Sequence, residues 1–336
     1  MRHAGRKKPI DAQTLVITGA SSGIGLATAQ IAARRGARVV LSSFDPKPLE
    51  EATEALRDEG CTVASFVADV SARTAMERLA AFATRTFGRI DTWVNNAGVH
   101  VFGKSLDVDL EDARRVLAVD YWGTVHGSRA ALPRLRESRG TLVNVGSVLS
   151  GRAVPLQGIY SASKHAVKAW TDALRMELAL EGVAVAVTLV QPSAIDTPIV
   201  RHSKSLMPFR VQLPPPMYAP EVVGRAIVRA AQRPQRDVTV GGAGIFASIG
   251  EKFGPKTADE VMRFSFFRLQ RARGPARGVD ALHRPLGEAP RKRSGDGRVV
   301  LRHSAWTWAR QHPAVGGAVA ALLGVGLVAG VAGREG

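Results

Sequence analysis

The chain has 336 residues, of which 45% are hydrophobic, so it can bury one large domain or two ordinary ones and is not a disordered polymer. Its single cysteine, Cys61, excludes a disulfide framework and a cysteine-built metal site, and we expect no bound metal. The formal net charge is +17, but eleven basic and three acidic residues between Arg263 and Arg302 contribute +8 of it. The basic character therefore belongs mainly to a C-terminal tail, and without a recognition motif we expect no nucleic-acid partner.

Residues 1–12 form a basic N-terminal tail, and no apolar run of signal-peptide length follows it. We therefore expect the protein to stay in a reducing cytoplasm. The folded part is expected to begin at residue 13.

Apolar strands alternate with helical patterns between residues 13 and 242. Such alternation predicts a parallel sheet covered on both faces, and the Val-rich strands have the composition of strands buried on both sides. The fold class is therefore α/β, a doubly wound parallel sheet of about seven strands with helices on both faces and a C-terminal extension. The predicted strands are 14–18, 38–42, 62–66, 92–95, 141–146, 183–190 and 237–240. The predicted helices are 26–35, 46–59, 71–87, 110–137, 158–181 and 220–232.

A glycine-rich turn from Thr18 to Gly25 follows the first strand and opens the first helix. Glycines let the backbone approach a pyrophosphate, and the helix N-terminus stabilises its charge, so this turn predicts a dinucleotide site. Asn95 to Gly98 ends the fourth strand at the same edge of the sheet. Asp69, after the third strand, either accepts a hydrogen bond from an adenine amine or caps a helix.

Tyr160 and Lys164 are four residues apart on a predicted helix, which places both side chains on one face. An ammonium group beside a phenol lowers the pKa of the phenol from its ordinary value of ~10. A tyrosine with a lowered pKa can transfer protons at neutral pH, and Ser147 lies thirteen positions earlier. Taken alone, a Tyr and a Lys at this spacing are more often a surface pair, so the other motifs of the chain decide whether the pair is catalytic.

Residues 192–220 contain seven prolines and little periodicity. A long irregular loop in a compact domain is usually functional, so we interpret it as a substrate lid, with a surface excursion of no special role as the alternative. Its apolar residues, together with a membrane segment described next, favour a hydrophobic substrate. These residues are Leu206, Met207, Phe209, Val211 and Leu213.

Three segments follow the predicted domain. Residues 243–272 form an amphipathic extension, and residues 273–312 are a basic linker rich in Arg, Gly and Pro. Residues 313–333 carry no charge and, as a helix, would reach about 31 Å, which matches a bilayer core. This run predicts a membrane anchor, with a flexible or peripheral Gly/Ala-rich tail as the alternative. The apolar residues of the extension include Ile245, Phe246, Ile249, Phe253, Val261, Met262, Phe264, Phe266, Phe267 and Leu269.

With these motifs in order, residues 13 to about 242 resemble the short-chain dehydrogenase/reductase family, which has a Rossmann-like fold. The resemblance implies that Tyr160 transfers a proton to or from a substrate oxygen, that Ser147 binds that oxygen, and that Lys164 binds the nicotinamide ribose and lowers the pKa of Tyr160. Relatives commonly form dimers or tetramers through the helices at 110–137 and 158–181. The implied cofactor-binding residues are Thr18, Gly19, Ser21, Ser22, Gly23, Ile24, Gly25, Ser43, Phe44, Asp69, Val70, Asn96, Ala97, Gly98, Tyr160, Lys164, Pro192, Ser193, Ile195 and Thr197.

Two positions depart from the family pattern. Asp120 stands where the family usually carries a catalytic asparagine, so it is the fourth expected catalytic residue and adds a negative charge near Lys164. Ser193 replaces the glycine of a Pro-Gly motif after the sixth strand, which is expected to shift the lid slightly.

The cofactor is expected to be NADP or NAD. An acidic residue at the end of the second strand would favour NAD, but Ser43 and Phe44 occupy that position. Lys47 could reach a 2'-phosphate, whereas Asp45 opposes it, so the balance favours NADP.

Two hypotheses follow from the sequence. The first is an NAD(P)-dependent oxidoreductase that interconverts a carbonyl group and a secondary alcohol on a small, hydrophobic substrate, with Tyr160 as acid and base. The alternative is a cofactor-binding sensor or scaffold with weak or no catalysis, because Asp120 replaces asparagine.

Overall fold

The computed structural model describes residues 8–242, 254–276, 278 and 280–311. Most of the basic N-terminal tail, four apolar residues of the predicted extension and the predicted anchor at 313–333 lie outside the described residues. Within the described part of the chain, no helix is both long enough and apolar enough to cross a membrane.

Seven parallel strands form the central sheet: β1 (Thr14–Thr18), β2 (Arg38–Ser43), β3 (Val63–Val67), β4 (Thr92–Asn95), β5 (Thr141–Val145), β6 (Ala186–Pro192) and β7 (Asp237–Val240). Their order in the sheet is β7-β6-β5-β4-β1-β2-β3. Their side chains alternate between two cores, so that Leu15 and Ile17 pack on one face while Val16 packs on the other. The seven-stranded α/β fold predicted from the sequence is confirmed.

Helices cover both faces of this sheet. Apolar residues of α1, α2 and α8 form one core with the sheet, and those of α3, α5 and α6 form the other. The helices are α1 (Gly23–Ala33), α2 (Pro46–Asp58), α3 (Arg73–Phe87), α4 (Leu110–Leu117), α5 (Gly123–Ser138), α6 (Gly158–Leu180), α7 (Ile199–His202) and α8 (Pro220–Gln232).

The strand order reverses between β1 and β4, which are neighbours in the sheet. In an open parallel sheet, ligands bind outside the carboxyl ends of the strands at such a reversal. The turn after β1 and the Asn96–Gly98 segment after β4 both lie at this edge. The topology therefore brings together the two motifs that the sequence singled out.

The helix predicted at 110–137 is interrupted. A wider π turn at Ala118–Trp122 separates α4 from α5, and it contains Asp120. Such turns often occur at functional sites, because the extra residue redirects a side chain. The apolar pattern of residues 110–137 does not reveal the π turn, because apolar residues continue through it.

The segment predicted as a basic linker packs against the domain. Val300–Leu301 pairs in parallel with Met217–Tyr218. The following helix, Ala305–Gln311, is held by Thr307, whose hydroxyl accepts a hydrogen bond from Gly241 N at 3.1 Å. The Arg, Gly and Pro content of residues 273–312 is typical of a free linker, but backbone hydrogen bonds hold parts of this segment to the domain.

Candidate active site

The glycines of the turn occupy positions where another residue would not fit. Gly19 and Gly23 have positive φ angles of 64° and 53°, a conformation that glycine adopts without strain. A Cβ atom on Gly25 would lie 2.1 Å from Gly19 O. Asn96 holds the turn from the neighbouring strand, because its Nδ2 donates to Thr18 O at 2.9 Å and to Gly19 O at 3.2 Å.

Thr18 and Asn95 hold the strand ends together. The hydroxyl of Thr18 donates to Val94 O and accepts from Asn96 N at 3.0 Å. The buried Asn95 side chain accepts from the Trp93 indole at 2.7 Å and donates to three acceptors, one of them Asn144 Oδ1 at 2.9 Å. Both side chains therefore support the shape of the site, and neither lines the cleft.

Two serines lie where a cofactor ribose is expected. The hydroxyls of Ser21 and Ser43 are 2.9 Å apart and buried at the end of β2. Asp45 faces a different partner, because its Oδ2 accepts a hydrogen bond from Gly287 N at 2.8 Å. Lys47 is not among the described residues that line the cleft.

Asp69 is engaged by protein groups. Its Oδ1 accepts hydrogen bonds from the backbone and hydroxyl of Ser71, and its Oδ2 lies 2.9 Å from Arg115. Burial acts to raise the pKa of Asp69, but these bonds outweigh it and the pKa is lowered. The carboxylate therefore stays charged at the wall of the cleft. One of its oxygens binds the turn before α3, but the N-cap of that helix is Ala72, so Asp69 does not cap it.

The structure brings Ser147, Tyr160 and Lys164 together at the cleft, which all three line. Lys164 Nζ lies 5.4 Å from the centroid of the Tyr160 ring. The hydroxyl of Ser147 hydrogen-bonds Tyr160 and also accepts from Leu149 N at 3.1 Å, which fixes its position. The one-turn spacing predicted from the sequence therefore produces the expected cluster.

Asp120 lies behind this cluster and is fully buried. Its Oδ1 accepts from Val99 N at 2.9 Å, and its Oδ2 accepts from the Ser163 hydroxyl at 3.0 Å. The same Oδ2 lies 3.4 Å from Lys164 Nζ. The backbone oxygen of Asp120 accepts from the Thr124 hydroxyl at 2.7 Å.

Burial raises the pKa of Tyr160 above its ordinary value. Lys164 acts to lower this pKa, as expected from the sequence, but the charge of Asp120 acts with burial to raise it, and the net shift is upward. Burial acts to lower the pKa of Lys164, but Asp120 and Tyr160 outweigh this effect and raise it. Tyr160 is therefore a protonated phenol beside a charged ammonium at neutral pH.

Most of the predicted cofactor-binding residues line one continuous cleft. Thr18 and Gly25 lie behind it, and the other predicted positions face it. The predicted residues that line it are Gly19, Ser21, Ser22, Gly23, Ile24, Ser43, Phe44, Asp69, Val70, Asn96, Ala97, Gly98, Tyr160, Lys164, Pro192, Ser193, Ile195 and Thr197.

A C-terminal segment, residues 281–294, runs along the same cleft, and we call it the strap. Gly23 N at the start of α1 donates to Arg291 O at 2.9 Å. Leu282 is fully buried, and Ser294 donates to the carboxylate of Asp196. The strap residues that line the cleft are Ala281, Leu286, Glu288, Ala289 and Arg291. No pattern in the sequence predicts this contact.

The substrate end of the cleft is largely apolar. Of the five apolar lid residues predicted to face the substrate, Leu213 lines the cleft. Met207 and Val211 are instead buried in a cluster with Phe102 and Leu156. The apolar residues that line this end are Phe102, Val148, Leu149, Val154, Leu213, Met262 and Phe266.

The residues present fit a dinucleotide. The turn admits no side chain at Gly19 or Gly25 and lies at the N-terminus of α1, where backbone N–H groups favour phosphate. Ser193 Oγ, at the opposite wall, is buried and has no hydrogen-bond partner among the described residues. A polar ligand that spans the cleft would reach both walls.

Comparison with known proteins agrees with this geometry. The sequence pattern of the short chain dehydrogenase family matches residues 13–207. The uncharacterized oxidoreductase YxnA of Bacillus subtilis is 38% identical over 334 residues, which cover 98% of this chain and 92% of that relative.

Two solved structures share the fold. A short chain dehydrogenase/reductase from Burkholderia phymatum, in complex with NAD, has a TM-score of 0.69 and 27% identity over 74% of this chain and 96% of that one. An alcohol dehydrogenase from Thermococcus sibiricus, complexed with 5-hydroxy-NADP, has a TM-score of 0.60 and 26% identity over 68% of this chain and 95% of that one. The chain therefore belongs to the short-chain dehydrogenase/reductase family of NAD(P)-dependent oxidoreductases.

Proposed function

We propose that the protein interconverts a carbonyl group and a secondary alcohol by hydride transfer, with Tyr160 as the acid and base. The observation that carries this proposal is the convergence of Ser147, Tyr160 and Lys164 on a cleft that continues to the glycine turn. A bound nicotinamide cofactor supplies the hydride chemistry.

Ser147, Tyr160 and Lys164 have different roles in this mechanism. Ser147 donates a hydrogen bond to the substrate oxygen and holds it beside the phenol. Tyr160 keeps its proton at neutral pH because its pKa is raised, so it is suited to protonate the oxygen during carbonyl reduction. Lys164 carries the charge that stabilises the phenolate left behind, and with Asn96–Gly98 it would hold the nicotinamide ribose.

NADP is the cofactor we favour. The end of β2 offers the hydroxyls of Ser21 and Ser43, and the Asp45 carboxylate, which also lines the cleft, has one oxygen bound by Gly287 N of the strap. Without a carboxylate at Ser43, a 2'-phosphate meets no repulsion there. Comparing kcat/KM for NADPH and NADH tests this preference, and a higher value for NADH would contradict it.

The proposed substrate is a hydrophobic compound, because apolar side chains around Val154, Met262 and Phe266 line the cleft.

We also propose that the protein is an oligomer. Three large apolar side chains on the π turn and α6, those of Trp122, Met176 and Leu180, are at least half exposed and could be covered by a second copy of the chain. We also retain the proposal that residues 313–333 attach a cytoplasmic enzyme to a membrane.

Replacing Tyr160 with phenylalanine tests the mechanism. Turnover of a panel of ketones with NADPH or NADH should fall by about 100- to 10,000-fold, the range that general acid catalysis supplies, while cofactor binding persists. Unchanged turnover in this variant would remove the mechanism. Cofactor binding without turnover of any carbonyl compound by the unaltered protein would favour the sensor alternative.

A further inference from the structure

His100 is a buried histidine next to the reacting tyrosine. Its side chain lines the cleft and is 4% exposed, and its ring centroid lies 4.3 Å from that of Tyr160. Burial lowers the pKa of His100 to about 4; a hydrogen bond from the ring to Gln157 opposes this shift, and the charge of Lys164 adds to it. The ring is therefore neutral at physiological pH, with one N–H group and one bare nitrogen.

Three hydrogen bonds fix which nitrogen carries the proton. Gln270 Nε2 donates to Pro155 O at 3.0 Å, and a carbonyl oxygen can only accept, so the orientation of the Gln270 amide is set. Gln157 Nε2 donates to Gln270 Oε1 at 2.6 Å, which sets the second amide. Gln157 Oε1 therefore accepts from His100 Nε2, which lies 2.9 Å away and must carry the proton.

This assignment leaves Nδ1 of His100 as a bare acceptor. The atom is buried, and it has no hydrogen-bond partner among the described residues. A buried polar atom without a partner is costly, so one is normally satisfied by water or by a ligand. His100 lines the cleft beside Tyr160, so a candidate donor outside the described residues is a group on the molecule that occupies the cleft.

We propose that His100 is a specificity-determining residue whose Nδ1 accepts a hydrogen bond from a hydroxyl group that the substrate carries close to its reacting carbon. Gln270 is the positioning residue that holds His100 in this acceptor form. The inference rests on the proposed function and names its substrate class: hydroxy ketones and the corresponding diols, with the apolar remainder of the substrate against Val154 and Met262.

Gln270 belongs to the C-terminal segment and is fully buried, so the extension reaches the substrate site through a chain of two amides. Replacing Gln270 with methionine removes the partner of Gln157 Nε2. The Gln157 amide is then free to rotate and donate to His100 Nε2, which moves the histidine proton to Nδ1. The variant should therefore favour a substrate acceptor over a substrate donor.

Nitrogen NMR of the histidine-labelled full-length protein distinguishes the two tautomers. His100, assigned by the loss of its signals in His100→Phe, should be neutral with its proton on Nε2 from pH 5.5 to 8, and Gln270→Met should move the proton to Nδ1. His165 is the internal reference, because its Nδ1 faces Ser161 O at 2.8 Å and must carry a proton. A proton on His100 Nδ1 in the unaltered protein would overturn the proposal.

Matched ketones test the substrate class. In two pairs, α-hydroxyacetophenone with propiophenone and β-hydroxypropiophenone with butyrophenone, a methyl group replaces the hydroxyl. The unaltered enzyme should prefer the hydroxylated member of at least one pair by about tenfold or more in kcat/KM, the factor that one uncharged hydrogen bond supplies.

His100→Phe keeps an aromatic ring beside Tyr160 but lacks the acceptor, so it should lose this preference, measured as the ratio of kcat/KM between the hydroxylated and the plain ketone. Gln270→Met should lose it as well, which keeps the test open if the first variant fails to fold. A preference that survives in both variants, or that is absent from the unaltered enzyme, would overturn the inference. Failure to turn over any carbonyl compound with either cofactor would instead overturn the proposed function.

Discussion

Asp120 places a carboxylate beside Tyr160 and Lys164, at the position where the family resemblance leads us to expect asparagine. Its Oδ2 is 3.4 Å from Lys164 Nζ, and both side chains are buried. Because this charge offsets the ammonium and also acts directly on the phenol, it raises the pKa of Tyr160. The substitution therefore favours a phenol that holds its proton, which suits carbonyl reduction.

Replacing Asp120 with asparagine is expected to lower the pKa of Tyr160, because it removes a charge that raises it. Alcohol oxidation needs the phenolate, so its rate rises with pH through this pKa, and the rise should shift to lower pH. Carbonyl reduction needs the protonated phenol, so its alkaline decline should shift in the same direction. Initial rates in both directions across the alkaline range measure the shift.

Asp172→Asn is a matched control for this experiment. Asp172 is on α6, the helix that carries Tyr160 and Lys164, and is paired with Lys168 and Arg175, but it does not line the cleft. Its pH profile should match that of the unaltered enzyme. Identical profiles for Asp120→Asn and the unaltered enzyme would contradict the charge argument, and no gain with any substrate despite cofactor binding would support a sensor.

The residues that sequence could predict are those in contiguous motifs. Tyr160 and Lys164 are one helical turn apart, so their proximity follows from local geometry alone. His100, Gln157 and Gln270 form no such pattern, because Gln157 and Gln270 are 113 residues apart and meet only in the folded protein. The motif predicts that Lys164 lowers the pKa of Tyr160, but it does not show the burial that raises this pKa by more.

The strap forms part of the wall of the cleft. Its carbonyl at Arg291 faces Gly23, and its Glu288 carboxylate pairs with Arg201 at 3.2 Å and His202 at 3.8 Å on the opposite side. If a dinucleotide occupies the cleft, as proposed, the strap covers it between these attachments. Cofactor release then requires the strap to open.

Replacing Glu288 with glutamine should speed release of bound NADPH, because it removes the charge that holds the strap to Arg201. The pair is partly exposed, and such pairs contribute up to about 1 kcal/mol, so a two- to fivefold faster dissociation is expected. Stopped-flow fluorescence of NADPH displacement measures the rate.

Glu59→Gln is the control, since Glu59 pairs with Arg34 on the surface and neither residue lines the cleft. Its dissociation rate should match that of the unaltered protein. Equal rates for Glu288→Gln and this control would show that the strap does not limit cofactor release.

The sequence predicts helices and strands correctly where a periodic apolar pattern is bounded by glycine-containing turns. The strands of the central sheet agree with their predicted positions to within a few residues, because burial on two faces demands apolar runs. The sequence does not predict the strap or the strand Val300–Leu301. A segment rich in Gly, Pro and Arg can be a free linker or can be held to the domain by backbone hydrogen bonds, and composition alone does not distinguish the two.

At the scale of the whole molecule, the C-terminal segment leads back to the domain before the predicted anchor begins. Trp306 and Trp308, 39% and 52% exposed, lie on the helix Ala305–Gln311, and the uncharged run at 313–333 starts two residues after Gln311. Exposed tryptophans beside an apolar run are typical of a membrane interface. The fold therefore presents its last described helix where a membrane anchor would begin.

A chain that ends at Gln311 should lose membrane association while it keeps its fold, because Gln311 O still accepts from Arg229 and Thr307 still holds Gly241. Ending the chain near Arg302 would remove these contacts and confuse loss of the anchor with loss of structure. Cells that express the full chain and the shortened one are fractionated, and cofactor binding by both proteins confirms that the fold is kept. The full chain is expected with the membranes and the shortened one in the supernatant. Equal distribution of the two proteins would contradict the anchor, since it would show that 313–333 adds no affinity for lipid.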